Sequence, residues 1–103
     1  MLYNVLMQED LVAQKKKDVE VPKGKMYVKV YAPFKVYFDG VANSISAVND
    51  TGPFDILPKH HNFMTLLSPC DIIVRSDQGE EKVTITRGIM HVKADRVIVF
   101  LDV

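Results

Sequence analysis

From Met26 to the end of the chain, apolar and polar positions change places in short runs, and no stretch keeps a helical period. Met26-Tyr27-Val28-Lys29-Val30-Tyr31 is rich in residues that suit a pleated surface, and Pro33 interrupts it. Val36-Tyr37-Phe38 is a second run, closed by Asp39-Gly40. Val41 to Val48 reads as another strand, with Val41, Ile45 and Ala47 inward and Asn43, Ser44 and Ser46 as polar neighbours. Asn49-Asp50-Thr51-Gly52-Pro53 is dense turn chemistry. Phe54-Asp55-Ile56-Leu57 runs up to Pro58, and Phe63 to Leu67 precedes Pro69. Ile72 to Arg75 and Val83 to Thr86 flank Asp77-Gln78-Gly79-Glu80, a hairpin signal in which Gly79 supplies positive φ without steric cost. Ile89 to Val92, then Ala94-Asp95, then Val97 to Leu101 complete the series. Short strands separated by turn residues about every 8–12 positions predict a sandwich or a barrel. Ile56, Leu57, Ile73, Ile85, Val92, Val97 and Val99 are the expected interior.

The first 25 residues follow a different rhythm, which places the expected boundary between an arm, 1–25, and a β domain, 26–103. Leu2, Val5, Leu6 and Val12 fall roughly on one helical face, whereas Tyr3, Val5 and Met7 alternate as in a strand. Pro22 and Gly24 end the segment, which reads as an arm or a short element docked on the domain. At 103 residues the chain is one domain, large enough for a core without metal or disulfide staples.

Lys plus Arg and Asp plus Glu each number 13, so the formal net charge is zero and a dominant electrostatic grip on nucleic acid is disfavoured. Cys70 is the single cysteine, which excludes an internal disulfide and any CxxC motif and suits a reducing compartment. No apolar run reaches the roughly 18 residues a membrane span needs. Glu9 and Asp10 follow the mildly apolar start at once, so no signal peptide is expected and the cytosol is the expected compartment.

Few residues suggest chemistry. His60-His61, if on a strand, would point to opposite faces and could not both grip one metal, and His91 is the only other histidine. Cys70 lies between Pro69 and Asp71 with no base in sequence to activate it. Asp71 and Asp77 form no recognisable acid pair. Gly52, Gly79 and Gly88 are isolated, so no phosphate cradle is indicated. Lys15 to Lys17, flanked by acids, read as a solvated patch, and Met26, Met64 and Met90 as core filler. Nothing assembles nucleophile, base and oxyanion donor; no catalytic, cofactor-binding or metal-binding residue is assigned. The residues read as a binding or structural β domain.

Gly52-Pro53-Phe54-Asp55-Ile56-Leu57-Pro58-Lys59-His60 resembles a segment of the amino-terminal β-sandwich domain of the F-type ATP synthase epsilon subunit, called delta in mitochondria. That family has an Ile-aliphatic-Pro-Gly-His run, a Leu-x-Pro-Gly turn, a hairpin, a Gly-Gly turn and a closing Val-rich strand. Leu66-Leu67-Ser68-Pro69, Gly88-Ile89-Met90-His91-Val92 and Asp95 to Leu101 match those later parts in order. The resemblance covers residues 26–103 and implies an all-β fold, a β-sandwich of two mostly antiparallel sheets. Lys59, Cys70 and Arg87 stand where the family has glycine, which is costly wherever a turn needs positive φ.

The resemblance also implies a non-enzymatic role in the rotor stalk, between the gamma subunit and the membrane c-ring, peripheral on the cytoplasmic side of the inner membrane. Carried over by position, Gly52, Pro53 and Phe54 would meet the ring, and Ala32, His60 and Thr65 would face gamma. The chain ends at Val103, where the family usually adds a helical hairpin, so inhibition through that hairpin is not expected. A free-standing interaction domain that kept the fold is the alternative, and a metal-dependent enzyme, resting only on three histidines, is a third reading.

Overall fold

A computed structural model describes residues 21–102. Readings that fall on residues 1–20, Lys15 to Lys17 among them, lie outside the described residues. The β-branched and aromatic runs form β1 (Met26–Ala32), β2 (Lys35–Ala42), β3 (Ser44–Asn49), β4 (Gly52–Ile56), β5 (Phe63–Leu67), β6 (Cys70–Ser76), β7 (Gly79–Ile85), β8 (Gly88–Lys93) and β9 (Arg96–Leu101). They assemble into a five-stranded sheet, β2-β1-β9-β8-β5, and a four-stranded sheet, β4-β3-β6-β7. Among the described residues only the β1–β9 pair is parallel; the other ladders are antiparallel. The fold is the all-β sandwich that the resemblance implied, and one of the two architectures the run spacing predicted.

Alternation along the strands explains the core. Val28 and Val30 of β1, Ile45 of β3, Ile72 and Val74 of β6, Val92 of β8 and Val99 of β9 are at most 1% exposed and meet between the sheets. Ile56, Ile85 and Val97 join them, as expected from the sequence. Two expected interior residues do not. Leu57 is 57% exposed, because Ile56 takes the last inward position of β4 and its neighbour must point away. Ile73 is only half-buried, because Ile72 and Val74 occupy the inward side of β6. Met26 and Met90 are core residues, whereas Met64 is half-buried on the other side of its sheet.

Three boundaries also differ from the sequence reading. Asp39-Gly40 does not end β2; Gly40 pairs with Val28 and the strand continues to Ala42. Val41 therefore belongs to β2 and is half-buried, while Asn43 makes the break, its amide donating to the Arg75 carbonyl at 2.7 Å. The β3–β4 turn is Asp50-Thr51; Gly52 and Pro53 already pair with Asn49 and Val48. His60-His61 lie in the β4–β5 connection, not on a strand. Of the three family glycine positions that differ, only Lys59 has positive φ, at 69°, so the departures at Cys70 and Arg87 need no left-handed backbone.

The two sheets differ on their outer sides. The four-stranded sheet turns polar residues outward: Ser46 donates to Asp55, Arg75 donates to Ser46 at 2.7 Å, and Thr84 donates to Asp71 at 2.6 Å. The five-stranded sheet instead carries a second apolar cluster outward, made of Tyr27, Tyr31, Ile89, Ile98 and Phe100. Its strands β1 and β9 are buried on both faces, which is why Val97 to Leu101 is an unbroken apolar run.

Candidate interaction surface

The β3–β4 hairpin and the edge strand β5 meet along one side of the sandwich. Asn49 closes the hairpin tip: its side-chain oxygen accepts from the Thr51 amide at 3.0 Å and the Thr51 hydroxyl at 2.7 Å. Its Nδ2 donates to the Thr65 hydroxyl at 3.1 Å, tying the tip to β5 in the other sheet. The Ser68 amide donates to the Val48 carbonyl at 2.9 Å and reinforces the same junction. Gly52, at φ 122°, starts β4 opposite Asn49, a conformation that a side chain rarely adopts.

Pro53 and Phe54 then point to opposite sides. Pro53 is exposed on the outer face, while Phe54 shares the inward side with Ile56 and packs half-buried against the core. The Phe54 and Phe63 rings meet edge-on, 6.2 Å between centroids, and His60 lies 5.0 Å from Phe63. The His60 amide donates to the Leu57 carbonyl at 3.2 Å. Its Nδ1 lies 2.7 Å from the His61 carbonyl, which can only accept, so that nitrogen carries the proton.

Five of the six residues singled out from sequence are thus joined by short links. Asn49 connects Gly52 to Thr65, its neighbour Val48 pairs with Pro53, and Phe63 connects Phe54 to His60. Ala32 is the exception. It is 5% exposed at the end of β1 and belongs to the core, so its side chain offers no surface to a partner. Position-by-position transfer missed this because it carries no information about which way a strand residue faces.

Sequence reasoning also missed Phe34, which stands fully exposed on the β1–β2 turn beside exposed Val36. A legible signal was there: Pro33-Phe34 separates two strand runs, and a turn has no inward position for an aromatic ring. Leu66 of β5 is 69% exposed, because Leu67 takes the inward position.

The remaining candidates show no assembled chemistry. Burial pushes the Cys70 thiol up, with Asp71 adding to the effect against a hydrogen bond to the Val48 backbone, so the nucleophilic thiolate is disfavoured. Asp77 is held below the usual carboxylate range by hydrogen bonds from Lys25 and Asn43 and by the Lys25 charge. Lys25 also reaches the Asn43 side-chain oxygen, so the three close a polar cluster beside the β6–β7 turn. Among the described residues no three His, Cys, Asp or Glu side chains are grouped to hold a metal ion, and no helix is long and apolar enough to cross a membrane.

Comparison with known proteins places this geometry. The chain is 32% identical over 76 residues to the ATP synthase epsilon chain of Clostridium novyi, covering 73% of this chain and 58% of that one. It is 31% identical over 77 residues to the epsilon chain of Ruthia magnifica, covering 75% and 56%. It therefore spans little more than half the length of these relatives. Among solved structures, a chain of the Euglena gracilis mitochondrial ATP synthase OSCP/F1/c-ring assembly superposes with a TM-score of 0.71 at 17% identity, over 82% of this chain and 54% of that chain. A chain of the Tetrahymena thermophila mitochondrial ATP synthase central stalk and c-ring superposes with a TM-score of 0.65 at 22% identity, over 81% and 66%. At those identities the structures speak for the fold alone. The family profile of the ATP synthase delta/epsilon chain β-sandwich domain matches residues 25–103, and the chain belongs to that family.

Proposed function

We propose that this chain is a non-catalytic component of the rotor stalk of an F-type ATP synthase. It links the gamma subunit to the c-ring and so helps couple proton translocation to ATP synthesis. The observation that carries this reading is the family match over residues 25–103. The domain that does the work is 26–103, with 1–25 as its amino-terminal extension. The chain itself performs no catalysis; ATP synthesis belongs to the assembled complex. It sits at the cytoplasmic side of the membrane, held peripherally through its partners.

The side where β4 meets β5 supplies the contacts. Gly52, Pro53 and Phe54 form the ring-facing end, stiffened by proline and pinned by Asn49, so little conformational entropy is lost on docking. His60 and Thr65 face gamma, on the same side of the sandwich. Ala32 is left out of the contact set by its burial. Photo-crosslinking in the native complex tests the arrangement. A photoreactive residue at Pro53 is expected to capture a c subunit, and one at Thr65 to capture gamma. Capture of neither, in a preparation that holds both, contradicts the assignment.

A further inference from the structure

We propose that the outward face of the five-stranded sheet is a docking surface, and that its occupant is the chain's own residues 1–20. Ile98 stands on β9, the middle strand of the five, and is 1% exposed. Tyr27 and Ile89 at 5%, Phe100 at 6% and Tyr31 at 7% surround it. All five point away from the sandwich interior, opposite to Val28, Val30, Met90, Val97 and Val99. The four-stranded sheet therefore cannot be what shields them. Within residues 21–102, the partly buried apolar residues against this cluster are Val21 and Met64, and Met64 lies on the edge strand β5. Two such residues do not remove the centre of a sheet face from water; a further apolar layer does.

Continuity identifies the layer. Val21 packs on the cluster, so the residue bonded to it starts beside the face. The preceding stretch carries Leu2, Val5, Leu6 and Val12. Five strands spaced about 4.8 Å apart make a face roughly 19 Å wide. About 13 residues of helix at 1.5 Å each, or about six of strand, cross that width, so either periodicity read from the sequence suffices. Charge agrees: Glu9 and Asp10 lie within that stretch, and Lys29, Lys93 and Arg96 stand on the outward side of β1, β8 and β9. Burying an apolar face of this kind is favourable at about 25 cal/mol per Å². A face covered in this way is not offered to a partner, which leaves strand edges and turn tips for assembly.

Methyl NMR on the full chain tests this without any synthase subunit, so its outcome is independent of the proposed function. Cross-peaks are expected from the Leu2, Val5 and Leu6 methyls to Ile89 and Ile98, unchanged on tenfold dilution. In the Leu6→Asp chain the Leu2 and Val5 cross-peaks to Ile98 should weaken severalfold, while the Ile85 and Val99 resonances of the interior stay in place. Cross-peaks seen only between differently labelled molecules would assign the face to a second copy. Absence of cross-peaks in the folded full chain, or an Ile98 environment unmoved by Leu6→Asp, would also overturn the proposal.

Discussion

Backbone conformation and local packing decide most single-residue effects. Ile85 is 4% exposed inside the sandwich, so Ile85→Ala is expected to cost about 2–5 kcal/mol. Chemical denaturation checks this; an unchanged midpoint would place the side chain outside the core. Gly88 tolerates less: a Cβ there would lie 2.7 Å from the Phe100 carbonyl oxygen, which is backbone and cannot swing aside. Lys59 is the converse, an L-residue at φ 69° where its family has glycine. Left-handed backbone costs an L-residue roughly 1–2 kcal/mol, offset in part by the chain entropy a glycine loses. Lys59→Gly should therefore raise stability by about 1 kcal/mol or less, read as a higher denaturation midpoint. Asp77 gives a pH signature. Its carboxyl is depressed in the folded chain, so its contribution is present above the usual carboxylate pKa and is lost as pH falls through the depressed value. The contribution is small because the group is exposed. Asp77→Asn should flatten the stability profile in that acidic window, lowering stability slightly near neutrality and leaving it unchanged at pH below the window.

At the scale of strands, periodicity identified most elements and misplaced several of their ends. Gly40 reads as a stop because Asp-Gly is turn chemistry, yet a neighbouring strand pairs with it and overrides that preference. Asn43 carries no such signal, and its break is set by a long-range bond to Arg75. Gly52-Pro53 looks like loop and is strand, which edge position allows: β4 ends its sheet, so the nitrogen that proline cannot donate is free to lie on the open side. This changes what Phe54 does. It closes the gap between β4 and β5 against Phe63 and also adjoins the exposed Pro53. Phe54→Ser is expected to lower stability by roughly 1–3 kcal/mol, below the value for a fully buried aromatic. Pro53→Asp, on the outer face, should leave the melting curve nearly intact and weaken partner capture. Equal destabilisation by the two variants would show that Pro53 is also a packing residue.

Across the whole molecule, the two sheets differ on their outer sides, polar on the four-stranded one and apolar on the five-stranded one. The fold class was legible because short β-branched runs and turn residues recur along the chain. The candidate surface was legible only through the resemblance, since Gly, Pro, Phe, His and Thr carry no chemistry that spacing alone could recognise. Burial of Ala32 depends on strand facing, which comes from pairing between segments and is not carried by the residue itself. What unites these scales is the claim that the sandwich works by contact within a rotary synthase. Purification of the tagged chain from its native membranes, with the recovered proteins identified by mass spectrometry, tests that claim most directly. The account predicts recovery of gamma and c subunits in fixed ratio to the chain after gel filtration. A chain that elutes alone, while intact synthase from the same membranes carries a different epsilon subunit, would contradict it.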